Sequence, residues 1–513
     1  MLLRYGLCLL LLLSACTKKE TAPQSSSTPI RFQVYSEPVS LDPSRVEDGN
    51  GLRLVANLMD GLVGYDGAGQ LRFLLAESVK TSEDGLRYEF VLRPGAKWSD
   101  GAPIEASQFV TALRRALDPA TGSKLADMLY PIRGARAVAR REIPLTQLGV
   151  RALAPDRLMI ELEHPLPIFL EVLTLPQAMP LREDVLAANQ GKWPLSAPVT
   201  GAYRIAASRF EQMLLLEPND QYWDVRAPHP VQLTVVQDET TAARLYEQGK
   251  IDVLTRIPAL EYGRMKQLGK LVSFPMIATY FLAFDVRKPP FDQVAWRRKV
   301  SAAIDREGVT QALGSGEPPA WSWIPRGLEG AITDRELPPL LKAARKNVDL
   351  ALAAKVPPIG ITFDSSGRNS LILEKIQDDL KRVLGLRVSL EPADWKTHVR
   401  RMREDTRHLY RFGWLAPFVD PISHLRTFTS DNPNNYTGWK NAAYDALVEK
   451  IVRTPRGPAR EALIRQADLK LVEEEAVVVP IYHYVQDYAV SNRVTGFRAA
   501  PNSVIRFAEL RIQ

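Results

Sequence analysis

The sequence predicts an α/β protein, and three observations carry that prediction. Strand-period and helix-period segments alternate along the chain of 513 residues. Hydrophobic residues make up 45% and charged residues 24%, a balance that fits a packed body and excludes a disordered chain or a coiled coil. Proline at 38 exceeds glycine at 30, so many turns and loops are expected. At about 100–200 residues per domain, the length allows about three to five domains or one multi-lobed body.

The first segment reads as an address. Arg4 gives a thin positive start, and Leu7 to Leu13 is almost pure leucine. The run is shorter than the roughly 20 residues that span a bilayer. Leu13-Ser14-Ala15-Cys16 resembles the bacterial lipobox, which implies cleavage of residues 1–15 and a lipid on Cys16. Residues 16–29 hold Lys18, Lys19, Pro23 and Ser25 to Ser27 and read as a flexible tether. The expected product is exported and held on the periplasmic side of a bacterial membrane, or on the cell surface, by its N-terminal lipid alone.

In the body, Leu86, Tyr88, Phe90 and Leu92 recur every second residue, as on a strand with one buried face. Lys97 to Gly101 forms a turn. Phe109, Leu113 and Leu117 mark an amphipathic helix that stops at Asp118-Pro119. Tyr280 to Asp285 reads as a short apolar strand, and Gln293 to Leu313 as one helix ended by Gly314. Ile372, Ile376, Leu380 and Leu384 mark a helix capped by Gly385, followed by a strand from Leu386 to Leu390. Ala459 to Glu475 is helical in pattern, and Val477 to Val479 starts a strand that Pro480 is expected to interrupt. Pro318-Pro319, Pro338-Pro339 and Pro357-Pro358 mark surface connections.

Several function classes find little support. The only cysteines are Cys8 and Cys16, so the body has no thiol for a disulfide, a zinc thiolate or a nucleophile. Six histidines are scattered, and no cofactor or metal is expected. The net charge of +7 is spread thinly, with its densest cluster at Arg400, Arg401, Arg403, Arg407 and Arg411, so no nucleic-acid partner is expected. Nucleophile-elbow, zincin, Walker A and Rossmann motifs are missing. The chain is read as no enzyme, although a carboxylate pair assembled in space would leave no motif.

A series of blocks resembles the extracytoplasmic solute-binding proteins of peptide-importing ABC transporters, in the large oligopeptide and dipeptide branch. The series runs through Asn57 to Leu62, Leu75-Ala76-Glu77-Ser78, Lys97 to Gly101 and Asp118 to Ser123. It continues through Thr200 to Tyr203, Tyr222-Trp223-Asp224, Gly249 to Val253, Ala303 to Glu307, Gly413-Trp414 and Asp420-Pro421. Trp98, Trp223 and Trp439 are read as packed against a lobe, marking the family and not its site.

The resemblance implies a two-lobed periplasmic-binding-protein fold, type II, with an extra subdomain in lobe one. Lobe I is expected at 30–65, 198–283 and 488–513, the subdomain at 66–197 and lobe II at 284–487. It also implies a monomer that captures peptides or peptide-like solutes between its lobes and hands them to an ABC permease. Other solutes (a metal chelate, an opine or a glycoside) and a sensing role are the alternatives.

For the site, the resemblance implies that Gly413, Trp414 and Leu415 pair with a peptide backbone like an added strand. Arg411 aligns with an arginine that meets a ligand carboxylate, and Trp395 and Tyr484 with side-chain pocket residues. Relatives place an ammonium-binding aspartate three residues after the tryptophan, where this chain has Pro417. Asp420 is the nearest acid that could replace it, or it caps local backbone. Gly49, Leu125, Met276 and Ala283 stand where relatives carry other pocket residues, Ala283 in place of an acid. The loss of two acids, while Arg400, Arg401 and Arg403 lie near Trp395, leads to the expectation of a peptide-like or other ligand with a blocked or absent amine.

Overall fold

The computed structural model describes residues 28–38, 40–46, 48–224, 229–332, 356–365, 368–404, 407–416 and 418–513. The readings made on residues 1–27, including Cys16, and on Pro338-Pro339 and Pro417 lie outside these residues.

The chain opens with β1 (Ile30–Val34) and the helix Gly49–Leu58, then forms a hairpin of β2 (Val63–Tyr65) and β3 (Leu71–Phe73). Next come β4 (Ala76–Thr81), β5 (Arg87–Leu92), β6 (Val150–Ala154) and β7 (Arg157–Glu161), which form a four-stranded sheet ordered β4-β5-β7-β6. Tyr88, Phe90 and Leu92 turn the inner face of β5 towards the helix Ala106–Leu117, whose Phe109, Leu113 and Leu117 are buried. Gln108 Oε1 secures the start of that helix by accepting from the Glu105 N–H at 3.0 Å and from Trp98 Nε1 at 2.9 Å. Residues 66–197 thus contain a sheet of their own.

The main sheet has ten strands. It adds β8 (Tyr203–Arg209), β9 (Met213–Pro218), β10 (Val231–Val235), β11 (Val253–Leu254), β12 (Leu271–Phe284), β13 (Ile359–Asp364), β14 (Val388–Ala393), β15 (Leu409–Leu415) and β16 (Val478–Val490) to β1. Their order is β14-β13-β15-β12-β16-β11-β1-β10-β9-β8. Two lobes therefore share one sheet, and β12 and β16 in its middle cross from one to the other. A final pair, β17 (Val494–Thr495) and β18 (Arg511–Ile512), closes lobe I. There Asn57 donates to the Ile505 carbonyl at 2.8 Å and accepts from the Phe507 N–H at 2.9 Å, tying the C-terminal segment to the first helix.

Four local expectations are corrected. The strand read at Tyr280 is the buried second half of the fourteen-residue β12, whose first half from Leu271 to Met276 is largely exposed and masks the pattern. Pro480 does not interrupt β16. It stands at a register shift opposite Phe281, where the missing N–H costs no ladder bond, and its carbonyl accepts from Arg306 Nε at 2.7 Å. The helix read from Gln293 to Leu313 is two helices, Val294–Ala303 and Arg306–Leu313. Asp305 breaks it because its carboxylate caps the second helix, accepting from the Gly308 N–H at 3.0 Å. The strand after Gly385 starts at Val388, two residues later than read. The cap itself is as expected, with Gly385 at φ 66° and its N–H on the Leu380 and Lys381 carbonyls.

From Ala278 onward β12 pairs with β15, and the partner register on β16 jumps between Pro275 and Thr279. Among the described residues, no helix is long and apolar enough to cross a membrane.

Candidate functional site

The candidate site is built on β15. Along its whole length it pairs antiparallel with β12, from Leu409 opposite Phe284 to Leu415 opposite Ala278. On its other edge, β13 pairs in parallel only at Leu409 and Tyr410. Beyond Tyr410 that edge has no strand partner among the described residues. Two contacts fix which groups face it. The Ala416 N–H donates to the Ile277 carbonyl at 3.0 Å, towards β12. The Arg411 carbonyl turns the other way and accepts from His398 Nε2 at 2.9 Å. Because a carbonyl only accepts, this contact places a ring proton on Nε2, and burial lowers the His398 pKa. Strand alternation then sends the N–H and C=O of Gly413 and Leu415 to the open edge.

The side chains around this edge form a wall. Arg411 is buried, with Nη1 on Asp364 Oδ1 at 2.6 Å and Nη2 on Tyr484 Oη at 2.9 Å. Its guanidinium lies 4.3 Å from the Tyr280 ring centre, and Tyr280 stacks on Tyr482 at 4.7 Å. Gly413 is where Tyr484 crosses the strand; a Cβ there would stand 2.7 Å from the tyrosine oxygen. Trp414 turns to the opposite face and donates Nε1–H to the Ser423 carbonyl at 2.9 Å. Leu415 is 48% exposed, and Trp395 is 52% exposed while stacking on Phe412 at 5.6 Å and 15°. The wall offers paired backbone groups, an aromatic platform and a guanidinium already balanced by an acid.

Comparison with known proteins places the chain in a family. The family model of the bacterial extracellular solute-binding proteins, family 5 (middle), matches residues 70–436. The chain belongs to this family. It is 30% identical to the probable deoxycholate-binding periplasmic protein YgiS of Escherichia coli, over 90% of this chain and 89% of that protein. It is 27% identical to the oligopeptide-binding protein OppA of Bacillus subtilis, over 91% of this chain and 90% of that protein. The solved murein tripeptide binding protein MppA of Escherichia coli superposes with a TM-score of 0.79 at 26% identity, covering 95% of this chain and 99% of that one. The two lobes are those of a periplasmic binding protein.

Within this family-5 fold, the residues expected at the site fall into two groups. Trp395, Arg411, Gly413, Trp414, Leu415 and Tyr484 surround β15. Gly49 belongs to lobe I. It is the first residue of its helix, and the space where a Cβ would stand is open. Of the two readings of Asp420, the local backbone cap is the one the structure shows, and the free ligand carboxylate is corrected, because protein groups already occupy it. Fully buried, it accepts from Arg460 Nη2 at 2.7 Å, from Arg456 Nη2 at 3.4 Å and from the Ile422 N–H at 2.9 Å. Ala283 is corrected as a pocket position. It is fully buried inside the sheet between Tyr410 and Val478, so its lack of charge says nothing about ligands.

The sequence reading missed a cavity of about 420 Å³ between lobe II and the first part of the chain. Tyr65, Leu71, Pro167, Leu170 and Glu171 wall one side, and Leu328, Glu329, Val419, Asp420 and Arg456 the other. Glu171 Oε1 accepts from Arg456 Nη2 at 2.5 Å, and Tyr65 Oη accepts from the Val419 N–H at 3.2 Å. Arg460, behind Asp420, also pairs with Glu329. Burial pushes the Glu171 carboxyl above its ordinary range, against the pull of Arg456. No motif could have found this group, because its hydrogen-bonded members stand up to 354 residues apart.

Proposed function

We propose that this chain is the exported, lipid-anchored binding component of an ABC importer, and that it captures peptides between its lobes for delivery to a permease. The observation that carries this reading is the open edge of β15. A peptide's common feature is its backbone, and a strand edge with free N–H and C=O groups pairs with any backbone whatever the side chains. The exposed Trp395 and Leu415 then give apolar surface to side chains without demanding one. The relatives named for oligopeptides and murein tripeptides support the same ligand class. Work of this kind is capture and release, with no bond made or broken in the ligand.

Native mass spectrometry of the protein from its own secretory route, before and after denaturation, tests the reading. A ladder of peptide masses released on denaturation is expected. A single steroid-like mass would overturn it in favour of the ligand class for which the YgiS relative is named. The anchor has its own test: Cys16→Ser is expected to move the protein from the membrane fraction to the soluble one.

A further inference from the structure

β13 leaves β15 at a defined point. Its last paired residue is Thr362, opposite Tyr410. Two residues on, the Asp364 carboxylate turns onto Arg411 Nη1 at 2.6 Å, and Asn369 Nδ2 holds the Asp364 carbonyl at 3.0 Å. The Arg411 carbonyl is therefore the first on this edge beyond the ladder. It is already taken. His398 Nε2 donates to it at 2.9 Å, while Nδ1 lies 3.5 Å from Thr362 Oγ1. The ring thus bridges the last rung of β13 and the first carbonyl past it. His398 and Met402, one turn apart, are the buried residues of the helix Trp395–Glu404, so that helix lies on the edge and encloses the ring. The Arg411 carbonyl is closed to a ligand both by this bond and by the bulk of the imidazole. The next carbonyls of the same alternation, those of Gly413 and Leu415, have no such guard among the described residues.

We propose that His398 is the end-stop of the ligand strand. It confines pairing to the carbonyls of Gly413 and Leu415, which accept from two ligand N–H groups two residues apart and from no third. The count is the same for a parallel and an antiparallel ligand, because the acceptors on β15 set it. The recognised class is a short extended peptide whose paired donors fall within three residues. This deepens the peptide reading above and rests on it. His398 acts through the Arg411 carbonyl, so it is a positioning residue.

Isothermal titration of the native protein with the alanine peptides from dialanine to hexaalanine tests the stop. A tetrapeptide supplies both donors, so affinity is expected to rise as far as tri- or tetraalanine and then to level or fall. One neutral hydrogen bond is worth about a threefold to tenfold change in affinity. Pentaalanine or hexaalanine binding at least about threefold tighter than tetraalanine would place a further bond on the edge and overturn the proposal, with the peptide reading intact. His398→Ala frees the Arg411 carbonyl and should make pentaalanine or hexaalanine about threefold to tenfold tighter than tetraalanine. His398→Gln, whose amide keeps a donor for that carbonyl, should retain the native profile. A His398→Ala profile that runs parallel to the native one, at any overall loss, would show a merely structural role and overturn the proposal. The native series decides even where a variant fails to fold. Binding of none of the peptides would overturn this proposal and the peptide reading together.

Discussion

Two ion-pair groups line the space between the lobes, and they are built differently. Arg411 and Asp364 lie within lobe II, one base to one acid, both buried, with Tyr484 and Tyr280 filling the remaining space. The Glu171 group joins the subdomain to lobe II with more acids than bases and a half-exposed arginine at its hinge-like point. The first is a finished wall that gives the open strand edge its shape. The second ties distant parts of the chain through one half-exposed arginine.

Breaking the finished pair should have the largest effect. Asp364→Ala leaves Arg411 buried and uncompensated, and urea unfolding should show a loss of about 3–5 kcal/mol. A much smaller loss is expected from Arg456→Gln, under about 1 kcal/mol, because that guanidinium is half solvated.

A third buried acid sharpens the contrast. Asp468 has no cationic partner among the described residues; Ser322 Oγ and the Trp323 N–H donate to it, the latter at 2.9 Å. Burial raises its carboxyl to about 7. The folded value lies above the unfolded one, so the neutral acid favours the fold. That stability is complete below the ordinary value near 3.8 and is lost as pH rises through about 7. Thermal unfolding across pH 4 to 8 should show this decline, and Asp468→Asn should flatten it.

A smaller effect tests the wall itself. Gly413→Ala forces its new carbon against Tyr484 Oη and should cost about 1–3 kcal/mol, together with ligand affinity. Tyr484→Phe removes the clashing atom, so the double variant should recover part of the loss. Additive losses would show that the clash lies elsewhere.

Much of the fold was legible because local rules decided it. The period of Phe109, Leu113 and Leu117 and the cap at Gly385 needed no tertiary information. The crossing strands were not legible, since half of β12 is solvated and half buried, so no single period describes it. Trp98 and Trp439 were read correctly as core. For the candidate site, the family motif points to Gly413 to Leu415, whereas the openness of that edge depends on where β13 stops. Asp420 shows the limit: its sequence neighbours suggested an available acid, and Arg460 from another helix consumed it.

The strands β13, β14 and β15 come from the stretch of chain between β12 and β16, while the part of the sheet around β1 is joined by the C-terminal segment. A chain exported N-terminus first can therefore finish its second lobe before its first. Asn57 waits about 450 residues for the backbone of Ile505 and Phe507. Lobe I is a structure completed last, and a late truncation strikes the part of the molecule that was made earliest.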